Sequence, residues 1–343
     1  MKRLSRLVVV SLVLATAVVA SATPTETLVL GGSKVDQLSP AASDAYLTWN
    51  QNSISHPKHY DAFSSTLPLG STPVKMNRPN TSGWSGGISG NTTGAIYQEF
   101  SRGTSNLYLF DIGTQVRTDP PAGVNTIAWE WAPSISSQYI EFGRETAVFD
   151  PNKPSKVMLY NRATHATTEL ASAPQGCQCI WAGQVSDRFA TWSVCAPLCR
   201  VWYYDIAASK VHELKDPLGL QEYSPSVDGA TGTLYYIQSH NGCGAAVKLV
   251  RWTIGTPVTS AVVVSAIPSG HDVESTYVST DLSGNDDIYF DQQKCSGTYY
   301  ADIYEVSDAN TATPIRIPAI SSGNAAPTPG AKPRTPGGAP PAP

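Results

Sequence analysis

Short stretches of alternating hydrophobic and polar residues run along most of the chain, and turn-forming residues separate them. Runs such as AYLTW at 45–49, IYQEF at 96–100 and QYIEF at 138–142 alternate aromatic or branched side chains with polar ones, which is typical of half-buried β-strands. No stretch of ten or more residues between 25 and 320 has helical periodicity. The pattern therefore predicts an almost all-β chain.

These strand-like runs form a repeat with a period of about 49 residues, which is a length found in propellers and solenoids. Each of six runs has an aromatic residue at its second position: Tyr46, Tyr97, Tyr139, Phe189, Tyr235 and Tyr289. A second β-type run follows after a gap, for example at 107–112 and 201–206, and a plausible outer strand follows that. A shorter strand precedes each unit after the first, marked by Trp84, Trp131, Trp181, Tyr223 and Tyr277. Six units of four strands predict an all-β, six-bladed β-propeller with four-stranded blades.

The start of these units resembles the TolB-type propeller repeat, which is also called WD40-like or PD40. Trp131-Ala132-Pro133-Ser134 and Tyr223-Ser224-Pro225 match its tryptophan-Ser-Pro start, and the resemblance covers residues 36 to 320. It implies a six-bladed propeller. TolB proteins carry an α/β domain ahead of the propeller, for which residues 23 to 46 leave no room, so we do not expect the envelope role of TolB here.

Two segments compete to close the propeller ring. The strand-like segment at 25–30 could supply the outer strand of the last blade, and so could the segment at 314–318. The sequence leaves both open.

The two ends of the chain differ from the repeat. Lys2, Arg3 and Arg6 precede an apolar run at 7–20 and the small residues at 20–22, which is the pattern of a cleaved secretory signal peptide. Residues 322 to 343 are rich in Pro, Gly and Ala and have no large apolar side chain, so we expect a disordered tail. The domains expected are a signal peptide at 1–22, a propeller at 23–321 and the tail at 322–343.

Composition narrows the class of protein. Charged residues are only 15% of the chain, and 27 glycines and 26 prolines indicate many turns, which excludes a helical bundle or coiled coil. A net charge of -4 gives no basic footprint for nucleic acid. No second apolar stretch has membrane length. We expect a secreted or extracytoplasmic monomer with no nucleic-acid partner and no membrane span.

Six cysteines lie in the last three units of this predicted export product, and we expect disulfides among them. They are Cys177, Cys179, Cys195, Cys199, Cys243 and Cys295. Cys243 and Cys295 occupy equivalent hairpin loops of adjacent blades, which predicts a bridge between them. For the other four, we favour Cys177 or Cys179 joined to Cys195 or Cys199, with a direct Cys195–Cys199 bond as the fallback.

Function is less clear from the residues. There is no G-x-S-x-G or H-E-x-x-H motif. Four histidines, His56, His59, His240 and His271, fall in or beside the loops expected on one face, and blades 1, 5 and 6 are neighbours in a closed ring. They are candidate ligands of a divalent metal ion. The primary expectation is that the protein has no cofactor, and the metal ion is the alternative.

We therefore expect a TolB-like binding or scaffolding module that contacts a protein or an extracellular ligand on this loop face. The alternative is a metal-assisted lyase or hydrolase that acts on an extracellular glycan.

Overall fold

The structure, a computed structural model, describes residues 26–30, 35–53, 56–69, 71–89, 93–101, 103–145, 154–173, 179–215, 219–240, 246–280, 284–295, 300–307 and 309. The predicted signal peptide at 1–22, the tail at 322–343 and the segment at 314–318 lie outside these residues. The predicted boundaries of the domains therefore stay predictions.

The described chain forms six four-stranded antiparallel sheets, which we number as blades 1 to 6. The first strand among the described residues is β1 (Thr27–Leu30). Blade 1 contains β2 (Gln37–Ala42), β3 (Tyr46–Ser53), β4 (His56–Thr66) and β5 (Val74–Lys75). Blade 2 contains β6 (Ser82–Ile88), β7 (Gly94–Ser101), β8 (Thr104–Asp111) and β9 (Val116–Thr118). Blade 3 contains β10 (Trp129–Ile135), β11 (Tyr139–Glu145), β12 (Lys156–Asn161) and β13 (Thr167–Ser172).

The second half of the ring repeats this plan. Blade 4 contains β14 (Ile180–Ala182), β15 (Phe189–Cys195), β16 (Cys199–Asp205) and β17 (Lys210–Glu213). Blade 5 contains β18 (Gln221–Asp228), β19 (Thr233–Ser239), β20 (Lys248–Thr253) and β21 (Val262–Ala266). Blade 6 contains β22 (His271–Thr280), β23 (Asp286–Lys294) and β24 (Ala301–Val306), with β1 as its fourth strand. The predicted all-β, six-bladed propeller is confirmed.

The ring closes by mixing the two ends of the described chain within blade 6. β1 pairs with β24 in antiparallel register, with Thr27 opposite Glu305 and Leu28 opposite Tyr304. Of the two closing segments expected, the one at 25–30 therefore supplies the outer strand.

The aromatic residue of each repeat lies on the second strand of its blade, as predicted, but not at one fixed position. Ile140 in blade 3 and Leu234 in blade 5 hold the same position relative to the bulge of the neighbouring first strand. Tyr139 comes before this position and Tyr235 comes after it. The aromatic residue therefore lies on the same strand in every repeat. Its position along that strand differs from blade to blade, according to the gap between blades that it fills.

The core lies between neighbouring blades. In the largest cluster, Tyr235 and Ile237 of blade 5 pack with Val278, Ile288 and Phe290 of blade 6, and all five side chains are buried. Burying a side chain of this size contributes roughly 1.5–3 kcal/mol. The aromatic residues thus act mainly in packing, as their strand positions predict.

Helix is nearly missing from the described segments, where a single 3-10 turn spans Val258–Ser260. Nowhere in those segments does a helix have the length and apolarity of a membrane span.

The disulfide preference for blade 4 is wrong. Cys195 and Cys199 face each other at the end of the β15–β16 hairpin and bond to each other, with their Cα atoms 3.7 Å apart. The ends of two adjacent antiparallel strands bring them together, so neither reaches across to the segment before β14. Cys179 and Cys295 are also disulfide-bonded. Cys177 and Cys243 lie outside the described residues, so the bridge between Cys243 and Cys295 stays a prediction.

Candidate functional site

A central channel runs along the axis of the ring, and the first strand of every blade lines it. Each first strand starts at the face that carries the connections between blades and the second-to-third-strand hairpins, here called the loop face. Residues early in these strands line one cavity of about 120 Å³. Residues later in the same strands line a second cavity of about 280 Å³. The first cavity, which we call the loop-face funnel, is therefore the one nearer the loop face.

Two side chains each join a blade to the next but one, between these cavities. Tyr277 of blade 6 pairs through its hydroxyl with both backbone groups of Ile88 in blade 2, at 2.8 Å to the carbonyl oxygen and 3.2 Å from the amide nitrogen. Gln184, just after β14, pairs with both backbone groups of Val278 in blade 6. Burial raises the pKa of Tyr277 to about 12. Both Gln184 and Tyr277 line both cavities, so they form the floor of the funnel.

The wall of the funnel alternates around the ring. Blades 1, 3 and 5 each contribute a small residue with positive φ followed by proline: Ser39-Pro40, Ala132-Pro133 and Ser224-Pro225. Each pair is a β-bulge, where the register between the first and second strands shifts. Blades 2, 4 and 6 contribute the larger side chains Trp84, Trp181 and Glu274. Bulges re-aim side chains, so this alternation sets what faces the funnel.

Glycine permits the bulges to pack against the preceding blades. A Cβ on Gly86 would lie 2.3 Å from the carbonyl oxygen of Pro133, and one on Gly183 would lie 2.6 Å from that of Pro225. These close approaches bring the first strands together around the axis.

Polar side chains of the second strands accept hydrogen bonds that join five of the six pairs of neighbouring blades. The contacts are Asn50 Oδ1 with Ser85 N, Gln98 Oε1 with Ala132 N at 3.3 Å, Glu141 Oε2 with Thr191 N at 3.2 Å, Ser193 Oγ with Ser224 N at 3.1 Å, and Asp291 Oδ2 with Ser39 N at 2.9 Å. In each contact the backbone N–H donates. Four of these donors lie at bulges of first strands, which leave them without a ladder partner, and the fifth, that of Thr191, lies on β15.

Two of these acceptors are fully buried carboxyls. Burial raises the pKa of Glu141 well above its usual range and raises that of Asp291, although backbone N–H donors lower both. Asp291 accepts from Glu274 N at 2.8 Å and Ser275 N at 3.1 Å in its own blade, besides Ser39 of blade 1. It therefore fixes the two bulges at the closing seam. Both residues hold the ring together, and neither lines the funnel.

Aromatic side chains stand on the blade 2 to blade 4 side of the funnel. Trp84 donates through Nε1 to Ser39 Oγ at 3.0 Å and packs against Tyr60, with ring centroids 4.9 Å apart. Trp181 meets Trp131 edge to face at 5.3 Å. Trp131 in turn lies directly on Gly143, where no larger residue would fit. Trp84 and Trp181 are half-buried, so part of each ring remains accessible from the funnel.

Carboxylates stand on the side of blades 6 and 1, where Asp36 contacts the same Tyr60 that packs on Trp84. Glu274 lines the funnel, and its Oε1 accepts from Gln293 Nε2 at 2.6 Å. Asp36 and Asp272 lie nearby and accept from the hydroxyls of Tyr60 at 3.1 Å and Tyr223 at 3.0 Å. Burial, followed by the negative charges of these carboxylates, raises the pKa of both tyrosines. This side of the funnel is therefore electronegative.

Hydroxyl side chains are common in the lining of the second cavity, and its two carboxylates accept hydrogen bonds from backbone groups in turns. Asp187 accepts from Gln138 N at 3.0 Å, and Asp228 accepts from Ala230 N at 2.8 Å and Thr231 N at 3.0 Å. These contacts fix the turns between first and second strands, which argues for a structural role.

The predicted histidine group stays a prediction, because one of its four side chains lies outside the description. His56 and His59 lie on β4 and not in a loop, because the β3–β4 hairpin extends further than the sequence suggested, and the side chain of His56 is outside the description. His59 Nε2 lies 3.2 Å from Asp61 Oδ1. His240 follows β19 and His271 begins β22. Among the described residues, no three His, Cys, Asp or Glu side chains are grouped to hold a metal ion.

Sequence reasoning missed the funnel residues. The sequence signal for the funnel was the aromatic residue that marks the first strand of a blade, which we interpreted only as a marker of the fold. These residues are Trp84, Trp131, Trp181 and Tyr223. Trp84 and Trp181 themselves, and the residues that follow Trp131 and Tyr223 at the bulges, form part of the wall. Glu274 has no such neighbour in the sequence, because Val273 replaces the aromatic residue in blade 6.

No protein-family model and no curated protein matches this sequence. Among solved structures, the chain is similar to a protein of unknown function from Dyadobacter fermentans, with a TM-score of 0.57 and 7% identity over 84% of this chain and 98% of that one. It is also similar to a prolyl endopeptidase, with a TM-score of 0.52 and 9% identity over 82% of this chain. A third structure is TolB from Acinetobacter baumannii, with a TM-score of 0.48 and 13% identity over 80% of this chain.

The chain spans 65% of the length of that TolB chain and 42% of the endopeptidase chain. Identities this low show a shared fold and nothing about activity. The chain is a six-bladed β-propeller closed by its N-terminal strand, which is the fold that its TolB-type repeats imply.

Proposed function

We propose that this protein is a binding module that takes its ligand, or a protruding side chain of a partner protein, in the loop-face funnel. The observation that supports this most is the funnel itself, a concave site with a closed floor, aromatic walls and a few convergent polar groups. Such sites are where ligands bind most often. The floor of Gln184 and Tyr277 makes it a cup and not an open pore.

We also propose that the protein works outside the cytoplasm. The signal-peptide pattern at 1–22 and the Cys195–Cys199 disulfide support this, because disulfides persist in oxidising compartments. Sequencing the N-terminus of protein recovered from a secreting host tests it, and a mature chain that begins at residue 23 is the expected result. An N-terminus at Met1 on exported protein would contradict the cleavage.

A thermal-shift screen tests the proposed binding site. We would screen neutral, cationic, anionic, sugar and peptide ligands against the wild type and Trp181→Ala. Ligands that raise the melting temperature of the wild type should lose this effect in Trp181→Ala, because that variant removes one wall of the funnel. Asp44→Asn is the control, since Asp44 is exposed in the turn between β2 and β3 on the other face. Stabilisation that persists in Trp181→Ala and falls in Asp44→Asn would place binding elsewhere.

The alternative interpretation, a metal-assisted lyase or hydrolase, gains no support from the described histidines, and we do not adopt it.

A further inference from the structure

Two arginines from separate segments meet at the buried carboxylate of Glu99 on blade 2. Arg78, in the link from β5 to β6, donates through Nε to Glu99 Oε1 at 2.7 Å and through its backbone N–H to Oε2 at 3.0 Å. Its Nη2 also lies 2.6 Å from Oε1. The Nη2 of Arg117, on β9, stays 3.8 Å from the same oxygen, which is too far for a hydrogen bond. Arg78 therefore takes both oxygens of the carboxylate.

The charge of this group is unbalanced, because one carboxylate faces two guanidiniums. Among the described carboxylates, Glu99 alone comes within 4 Å of Arg78 or Arg117. Asp61 of the adjacent blade is already paired with Lys75, whose Nζ lies 2.6 Å from Oδ1. In a chain with a net charge of -4, the two arginines thus form a local positive site.

Tyr108 positions both cations where solvent reaches them. The guanidinium carbon of Arg117 lies 3.5 Å from the centroid of the Tyr108 ring, and that of Arg78 lies 5.7 Å from it. Stacking on a ring uses the face of a guanidinium and leaves the N–H groups in its plane able to donate. The Arg78 side chain is 50% exposed and the Arg117 side chain 24%, so a ligand can reach both.

Arg117 also has a donor that the described chain does not use. Its Nε is buried, and no described residue accepts a hydrogen bond from it. Tyr97 lies beside this guanidinium: burial raises the pKa of the tyrosine, and the charge of Arg117 opposes that rise. A phenol hydroxyl is neutral, however, so it leaves the charge of Arg117 unbalanced.

We propose that Arg78 and Arg117 together bind a carboxylate group beside the ring of Tyr108. The two guanidiniums are close enough for one ligand to bridge them, since the Nη2 atoms of both lie within 4 Å of one oxygen. A carboxylate matches the fork of a guanidinium, and its single charge balances the single excess charge of the group. A phosphate group carries about -1.5 to -2 charges at neutral pH and would leave an excess.

This site is separate from the loop-face funnel. Neither arginine is among the residues that line the funnel, and both stand at the outer part of the ring, where β9 is the last strand of blade 2. The inference therefore goes beyond the proposed function and does not rest on it.

Nα-acetyl-glutamate α-amide and its neutral counterpart, Nα-acetyl-glutamine amide, provide the test, because they differ in one carboxylate. We would titrate each into the full-length protein at low salt and follow the arginine Nε–H signals by NMR. We expect saturable shifts with the glutamate compound and at least tenfold weaker binding of the glutamine compound. Acetate forms a second arm. If acetate binds as tightly as the glutamate compound, the carboxylate comes from a small free acid, and if the glutamate compound is tighter, it comes from an acidic side chain.

Variants locate the site. Arg117→Gln removes one cation and its fork, so the affinity for the glutamate compound, followed on the Arg78 signal, should fall at least tenfold. Arg117→Lys keeps the charge without the fork, and its affinity should lie between those of the wild type and Arg117→Gln. Arg188→Gln is the matched control, because Arg188 also stacks on an aromatic ring, that of Phe189 at 5.0 Å, and it should bind like the wild type. Circular dichroism and melting curves check that the variants fold.

The possible failures are distinct. Equal affinities for the two amides would overturn the proposal, and so would tighter binding of inorganic phosphate than of acetate. Binding of the glutamate compound that Arg117→Gln leaves unchanged would overturn the location. If that variant does not fold, an unchanged affinity in Arg117→Lys would overturn the contact with the guanidinium fork. Trp181→Ala should not alter this binding, so the funnel and the arginine site stand or fall separately.

Discussion

The side-chain amide of Gln184 pairs with both backbone groups of Val278 across the axis of the ring. Gln184 Nε2 donates to the carbonyl oxygen of Val278 at 2.8 Å, and Oε1 accepts from its amide nitrogen at 3.0 Å. One residue from blade 4 thus extends the hydrogen bonding of the first strand of blade 6.

Replacing Gln184 by leucine should destabilise the fold by about 1–3 kcal/mol, because the buried N–H and C=O of Val278 lose their partner. Urea unfolding of wild type and variant measures this. Gln221→Leu, a half-buried site at the start of β18, serves as the control and should have a smaller effect. An unchanged free energy of unfolding for Gln184→Leu would mean that water replaces the amide without loss.

Gly86→Ala should be strongly destabilising, by roughly 1–3 kcal/mol or more, because its Cβ would meet the backbone oxygen of Pro133 at 2.3 Å and only a shift of the strand relieves this. The neighbouring Gly87→Ala is the matched control, since its closest contact would be 3.1 Å from Ile135 N. Thermal melts of the two variants give the comparison. Equal melting temperatures would show that blades 2 and 3 can move apart freely.

Stability should fall as the pH rises from mildly acidic to neutral. Burial raises the pKa of six described carboxyls, namely Glu26, Asp36, Glu130, Glu141, Asp286 and Asp291. Such groups hold their protons longer in the folded state than in the unfolded state. Their stabilising effect is therefore complete below the unfolded pKa and is lost as the pH passes the folded pKa.

Asp286 gives this effect a defined window. Burial raises its pKa to about 6 from the ordinary 3.8, although hydrogen bonds from Tyr235 and Thr280 lower it. Asp286→Asn can accept from one hydroxyl through Oδ1 and donate to the other through Nδ2, and it does not titrate. Urea unfolding between pH 4 and pH 7 should show a shallower decline for this variant than for the wild type, while Asp44→Asn keeps the wild-type slope. Parallel curves for Asp286→Asn and the wild type would count against the shift.

Peptide mapping without reduction can settle the disulfides. Trypsin should release Cys195 and Cys199 together on the peptide 189–200, Cys177 and Cys179 on 163–188, Cys243 on 216–248 and Cys295 on 295–316. We expect 216–248 linked to 295–316, and 189–200 as a single peptide closed on itself. A link between 163–188 and 295–316 would disprove the predicted bridge between blades 5 and 6.

Removing residues 322 to 343 should leave the melting temperature unchanged, because the segment has no large apolar side chain to bury. Differential scanning calorimetry of the full chain and of a chain that ends at residue 321 makes the comparison. A drop of several degrees on truncation would mean that the tail docks on the folded domain.

The fold was predictable from the sequence because most strand pairs of a propeller join segments that are neighbours in the sequence. Blades 1 to 5 are each one contiguous set of strands, and runs such as those around Tyr139 and Phe189 identify the second strand of a blade without knowledge of the other blades. The closing strand was harder, since the pairing of Thr27 with Glu305 joins opposite ends of the chain.

The site was not predictable in the same way. Trp84, Trp181 and Glu274 are far apart in sequence and line one funnel only because the first strands of their blades surround the same axis. The histidine group stays a prediction, although His59 lies within β4, where the strand and not the loop decides its surroundings. The Cys195–Cys199 bond was the less favoured alternative, because the exact end of the β15–β16 hairpin could not be read from the residues.

The pairing of β1 with β24 also protects the protein against association. Without β1, the backbone N–H and C=O groups along one side of β24 would form an open sheet edge, and open edges pair readily with strands of other molecules. β1, which covers this edge, is synthesised before the other described strands, and β24 is synthesised after them. During synthesis, β22, β23 and β24 of blade 6 are therefore complete before β1, which was made much earlier, pairs with β24. Until then the outer edge of blade 6 is open. Loss or cleavage of the short stretch at 26–30 would recreate that stage permanently, with strand exchange between copies as its consequence.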